Sequence, residues 1–226
     1  MSFPRSLPPK VLIGGRESHV SKGDPRLRGD DKTKMNTPAI ILAAGASSRM
    51  GFPKALLKVG PRTLLEDQIK RLRDAGCSPI IAVVGSEAAR IIKGTKARAN
   101  FVINRRWPLG QFSSVVTGLK KLPSKTGGAI ILPVDVALVP PGVTKKLIAT
   151  SKDTAGLGVE AVVPVHRGRM GHPIWLSANA IKKIIKTDIK TGRLDRMLPE
   201  FRLKHVKTTA GEILNNVNTK KDYAHK

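Results

Sequence analysis

A chain of 226 residues has room for one ordinary domain, and 40% hydrophobic content is enough to bury a core. Its 41 Lys and Arg against 16 Asp and Glu leave a formal charge of +25, a field that attracts polyanions. Aromatics are only 4% and are not interleaved with basic residues as base-stacking surfaces require, so nucleic acid is an unfavoured partner. The longest apolar stretch, Ala39 to Ala46, falls far short of the roughly 20 residues of a membrane span. Cys77 is the only cysteine, which excludes an intrachain disulfide and a multi-cysteine zinc site and fits a reducing cytoplasm.

Residues 1–34 carry breakers and charge without helix or strand periodicity, and read as a disordered extension. Met35 is followed at once by a strand-like run, so it is the expected true start, with residues 35–226 forming a single domain. From Ala39 onward, short β-branched runs alternate with amphipathic segments, the pattern of parallel strands joined by crossover helices. Ala39 to Leu42 is a buried strand; Leu64, Leu65, Gln68, Ile69 and Leu72 lie at helical spacing and stop at Gly76. Strands are expected over 79–84, 101–103 and 129–132, the last apolar on both faces and therefore central. Helices are expected over 87–93, 113–122, 142–150 and 178–186, with strands over 160–165 and 174–176. The fold class is α/β: a three-layer, mostly parallel Rossmann-like sheet with helices on both faces.

In open α/β sheets ligands bind beyond the carboxyl ends of the strands. The segment Leu42-Ala43-Ala44-Gly45 leads into Ser48, Arg49, Gly51 and Lys54. Small residues let the backbone approach a ligand, its N–H groups can cradle an anion, and Arg49 and Lys54 add cationic donors. It matches neither the dinucleotide-binding fingerprint nor a Walker A loop. Asp135, one of twelve acidic residues after Met35, directly follows an apolar strand, where a carboxylate needs a partner or a cation. As a hard oxygen ligand it suits Mg²⁺. Ser113 and Ser114 open a predicted helix, where hydroxyls cap or receive an anion.

The loop Leu42 to Gly45, Ser48 to Gly51 and Lys54 closely resembles the signature of nucleotidyltransferases of the molybdopterin guanylyltransferase and molybdenum cofactor cytidylyltransferase type. Four further segments are similar to that family in the same order: Asn104 to Gly118, Pro133 to Val139, Gly171-His172-Pro173, and Asn216 to Thr219. The resemblance covers about residues 38–224 and implies a nucleotide-diphospho-sugar transferase-like fold. It implies transfer of a nucleotidyl group from a triphosphate to a phosphorylated acceptor, with Lys54 at the α-phosphate and Arg49 at the β- and γ-phosphates. Asp135 and Asn216 would hold Mg²⁺, while Leu42 to Gly45 and the segment at Gly85 would frame the base. His172 and Asn218 would touch the acceptor.

Features at Ser47 to Gly51 and at Ser113 and Ser114 lean towards cytidylyl rather than guanylyl transfer. The stretch Lys190 to Leu198 replaces a Gly-Asp-x-Gly-Ala-Arg motif frequent in relatives that act on molybdopterin, which leaves a sugar phosphate open as acceptor. If molybdopterin is the acceptor, a molybdoenzyme or a cofactor-handling protein is the expected partner. A non-catalytic nucleotide-binding regulator and a basic nucleic-acid binder are the readings from other classes.

Overall fold

The computed structural model describes residues 36–217. The extension 1–34, Met35 and Asn218 lie outside the described residues. At the centre is β1 (Ala39–Ala43), buried at every position, whose side chains alternate between two cores. Ala39, Ile41 and Ala43 face one, and Ile40 and Leu42 face the other. A strand covered on both sides must be apolar at every residue. After two 3₁₀ turns, a short antiparallel hairpin of β2 (Lys58–Val59) and β3 (Arg62–Thr63) leads into α1 (Leu64–Asp74).

Helix α1 begins with a capping box: the Thr63 hydroxyl accepts from the Glu66 amide at 3.3 Å, and the Glu66 carboxylate accepts from the Thr63 amide at 2.7 Å. Such caps stabilise a helix by about 1 kcal/mol. The stripe Leu64, Leu65, Ile69 and Leu72 packs on the first core, and Gly76 at φ +87° turns the chain out. Then follow β4 (Ile80–Val84), α2 (Ala88–Gly94), β5 (Asn100–Ile103), α3 (Gln111–Leu119), β6 (Gly128–Pro133) and α4 (Pro141–Asp153). The chain closes with β7 (Ala161–His166), β8 (Arg169–Met170), β9 (Ile174–Ser177), α5 (Ala178–Lys186), α6 (Leu194–Met197) and β10 (Leu203–Lys207).

The main sheet has the order β10-β7-β9-β6-β1-β4-β5, with β8 folded back on β7. Pairing is parallel except around β9, which is antiparallel to both β6 and β7, and in the β7–β8 turn. Residues of α1, α2 and α4 fill one core, and residues of α3 and α5 fill the other, which gives three layers. Among the described residues no helix is long and apolar enough to cross a membrane.

Two differences from the sequence expectation have local causes. The third helix starts at Gln111 and ends at Leu119, because Gly110, at φ +99°, ends the 3₁₀ turn Trp107–Leu109 and serves as the helix N-cap. Edge strand β10, Leu-Lys-His-Val-Lys, has no fully buried residue and so lacks an apolar run. What matters for the site is that parallel β1, β4, β5 and β6 all end at one edge, delivering the loops that follow them to one place.

Candidate active site

Two left-handed positions, Ser47 at φ +50° and Gly51 at φ +59°, fold the loop after β1 into a 3₁₀ turn over Ser48–Met50. The Ser47 hydroxyl accepts from the Lys54 amide at 3.1 Å, which ties the start of the loop to the second turn, Lys54–Leu56. β6 runs parallel to β1, and the Val134 amide donates to the Leu42 carbonyl at 3.0 Å, so Asp135 emerges beside the loop. Lys54 Nζ then lies 3.6 Å from Asp135 Oδ2, with 16% and 31% of the two side chains exposed. A positive and a negative group thus meet at the mouth of a cleft of about 380 Å³.

The floor of that cleft is Leu42 to Ser48, and its far wall comes from the segment after β5. Asn104 is buried and spends its amide on Ser113 and Ser114 Oγ at 2.9 and 3.0 Å, while its carbonyl oxygen accepts from the Arg106 amide at 2.9 Å. This network fixes the turn Trp107–Leu109 against the start of α3, and Trp107, Pro108, Gln111 and Ser114 face the cleft. Gly85 lies behind Trp107: a Cβ there would stand 2.7 Å from Trp107 Cβ and 2.8 Å from the Ala44 carbonyl oxygen.

Of the residues expected from the sequence, Leu42, Ala43, Ala44, Gly45, Ser48, Lys54, Ser114 and Asp135 line this one cleft. Gly85 supports the wall from outside, and Gly51 shapes the loop without lining it. Ser113 is turned inward, accepting from Asn104 and placed within hydrogen-bond reach of the Arg106 and Gly110 carbonyls. Arg49 belongs to the Ser48–Met50 turn. Asn216 is exposed and pairs through the backbone with Val136, while the Val217 amide donates to the Asp135 carbonyl at 2.7 Å.

His172 sits on a neighbouring turn, its amide donating to the Ile213 carbonyl at 2.9 Å. Its Nδ1 is buried without a hydrogen-bond partner, and burial pushes the imidazole pKa down to about 4 against the opposing pull of the Asp135 charge. The ring is therefore neutral at pH 7.

Pro108 and Gln111 line the cleft without having been singled out from the sequence, Ser47 was read only for nucleotide preference, and Gln68 only as part of the α1 stripe. Gln68 carried a signal: a polar residue inside an otherwise apolar helical stripe.

Among the described residues no group of three or more His, Cys, Asp and Glu is placed to hold a metal. The local donors are one carboxylate, Asp135, and one amide, Asn216, on hydrogen-bonded segments. That set is too sparse for a protein-only cage. It fits a hard divalent ion that keeps waters and takes its remaining oxygens from bound phosphates.

Residues 39–206 match the family model described as the MobA-like NTP transferase domain. Over 85 residues the chain is 39% identical to a nicotine blue oxidoreductase of Paenarthrobacter nicotinovorans, an alignment covering 35% of this chain and 40% of that one. It is 33% identical over 143 residues to a molybdenum cofactor guanylyltransferase of Rhizobium meliloti, covering 61% of each chain. With the molybdenum cofactor cytidylyltransferase of Escherichia coli it shares 26% identity over 81% of this chain and 92% of the relative. The chain thus spans less than two thirds of the first two relatives. A solved structure of Rv0371C of Mycobacterium tuberculosis in complex with manganese superposes with a TM-score of 0.67 at 19% identity, over 84% of this chain and 97% of that one, a likeness of fold. The match of the family model over most of the chain, on a sheet that gathers its loops at one edge, makes this protein a member of the MobA-like NTP transferase domain family.

Proposed function

We propose that the protein is a nucleotidyltransferase that moves an NMP, CMP in preference to GMP, from a nucleoside triphosphate to a phosphorylated small molecule, releasing pyrophosphate. The observation that carries this reading is the meeting of Lys54 and Asp135, 3.6 Å apart, at the mouth of the cleft floored by Leu42 to Gly45. Such a cleft offers backbone N–H groups and cations to a polyphosphate and a carboxylate to its counter-ion.

Reaction at an α-phosphorus asks little covalent work of a protein beyond positioning and charge neutralisation. An oxygen of the acceptor phosphate attacks the α-phosphorus, and the bond to the leaving pyrophosphate breaks. Lys54 holds the α-phosphate and faces the charge that grows there, while Arg49 and the amides of residues 45–48 hold the β- and γ-phosphates. The backbone of Leu42 to Gly45 and the wall of Trp107 and Ser114, backed by Gly85, frame the base. Asp135 and Asn216 hold Mg²⁺, which when bound spreads the phosphate charge. His172, which burial keeps neutral, and Asn218 are the residues assigned to the acceptor by the family resemblance.

The molybdenum cofactor relatives support a molybdopterin acceptor, and a cytoplasmic molybdoenzyme or cofactor-handling protein then receives the product. The departure at Lys190 to Leu198 favours the second reading, a sugar phosphate. Thermal shift with each triphosphate, with and without Mg²⁺, tests the site. Ligand at a hundredfold over Kd stabilises by about 2.7 kcal/mol, a readily measured rise in Tm. The expected result is a Mg²⁺-dependent shift, largest with CTP. Absence of a shift with every triphosphate, together with salt-sensitive duplex binding, would favour a basic nucleic-acid binder instead.

A further inference from the structure

The segment from Pro133 to Val139 carries Asp135 but is neither strand nor helix beyond its first residue. Backbone bonds tie it to β1 at Leu42 and to residues 215–217, and side chains of α1 hold it from behind. Gln68, 1% exposed, directs Nε2 at three carbonyls of this segment: Pro133 at 3.2 Å, Val134 at 3.0 Å and Val136 at 2.9 Å. Three acceptors around one nitrogen also settle which end of the amide is the NH₂, since a flipped Gln68 would set oxygen against oxygen. One turn further along α1, Arg71 directs Nη1 to the Leu138 carbonyl at 3.5 Å, while its Nε pairs with Asp67 at 2.5 Å.

The held segment is under strain. Leu138 has φ +64°, a left-handed conformation that a leucine keeps only where its surroundings determine it. Gln68 also leaves its own Oε1 buried without a partner, so its amide is committed to these carbonyls at the expense of full satisfaction elsewhere. On the other side of the segment, Asp135 turns its carboxylate to Lys54.

We propose that Gln68, supported by Arg71, is a positioning residue for Asp135. The two side chains clasp four carbonyls flanking the carboxylate and set where it meets a triphosphate-borne cation. The inference rests on the functional reading above. Residues that orient a metal ligand from behind change metal affinity by about 10- to 100-fold when removed, whereas a residue of purely structural importance changes Tm and leaves metal affinity alone.

The test is a Mg²⁺ titration of the protein holding a non-hydrolysable CTP analogue, followed by Trp fluorescence, with thermal melts alongside. Gln68→Met keeps the length of the side chain and removes the donor. Arg71→Lys keeps the charge beside Asp67 and loses the planar fork that reaches Leu138. Asp135→Asn is the reference for a damaged ligand. The expected result is a half-saturating Mg²⁺ concentration raised about tenfold in Gln68→Met and by less in Arg71→Lys, with affinity for the metal-free analogue unchanged. If both variants melt earlier but keep the wild-type half-saturation, or if Gln68→Met does not fold and Arg71→Lys titrates as wild type, the inference is overturned. An Asp135→Asn shift alongside unmoved clasp variants overturns it alone. A wild-type protein whose analogue binding ignores Mg²⁺ overturns the functional reading and the inference together.

Discussion

Replacing Gly85 by alanine places a methyl group where the structure has no room for one. The added Cβ would lie 2.7 Å from Trp107 Cβ and 2.8 Å from both Trp107 Cγ and the Ala44 carbonyl oxygen. Ordinary carbon contacts begin near 3.5 Å, so these groups must separate by roughly 0.8 Å. Neither obstacle can be relieved by a rotamer change, because a Cβ and a backbone oxygen move only with the chain. Overpacking of this kind costs about 1–3 kcal/mol. Ala44 is tied down through its carbonyl, which accepts from the Ser86 amide at 3.0 Å. The turn Trp107–Leu109 is the easier part to displace, and moving it shifts the wall of the cleft. If about 1.4 kcal/mol of that cost falls on the bound state, triphosphate affinity drops about tenfold. Isothermal titration with CTP and Mg²⁺ measures the loss, and Trp emission of the free protein reports displacement of Trp107. Gly85→Ala binding CTP as tightly as wild type, with unchanged emission, would refute the argument that this contact sets the width of the cleft.

Asp135→Asn should shift Tm by less than about 4 °C, because a partly exposed ion pair contributes about 0.2–1 kcal/mol, and should still remove metal-dependent turnover; a thermal melt and a turnover assay on one sample separate the two effects. His172 is held below its ordinary pKa, to about 4, chiefly by burial, so the unfolded chain binds more protons than the native one as pH falls from about 6.5 to 4. Stability is therefore intact above pH 6.5 and declines through that window, by at most about 1.4 kcal/mol per unit, and the decline should be shallower in His172→Asn when urea midpoints are compared at pH 7 and 5. Gly118→Ala sets a Cβ 2.6 Å from Ile40 Cγ2 and should lower Tm despite the better helix propensity of alanine, at a cost of about 1–3 kcal/mol read from denaturant melts.

Central strands were legible in the sequence because burial on both faces leaves no place for a polar residue, as in Ala39–Ala43 and Gly128–Pro133. Helix α1 was legible through its apolar stripe and the glycine after it. Strand β10 was not, since an edge strand pairing on one side only can carry Lys204, His205 and Lys207. Asp135 stood out because a charge directly after a buried strand needs a reason, and Lys54 as a cation in a loop of small residues; parallel pairing of β1 with β6 brings the two loops together. Ser113 could not be told from Ser114 by sequence, because neighbouring helical residues point about 100° apart and the packing of α3 on the sheet decides which hydroxyl faces the cleft. The reach of Gln68 to carbonyls 65 to 68 residues away depends on tertiary packing that no local pattern encodes.

The most direct measurement is pyrophosphate release from CTP and GTP, each with Mg²⁺ and with molybdopterin or sugar-phosphate acceptors, by wild type and Asp135→Ala side by side. The account predicts release that depends on both acceptor and metal, fastest with CTP, and lost in Asp135→Ala while the variant keeps its fold. Release at the wild-type rate from Asp135→Ala, or none from wild type with any combination, would contradict it.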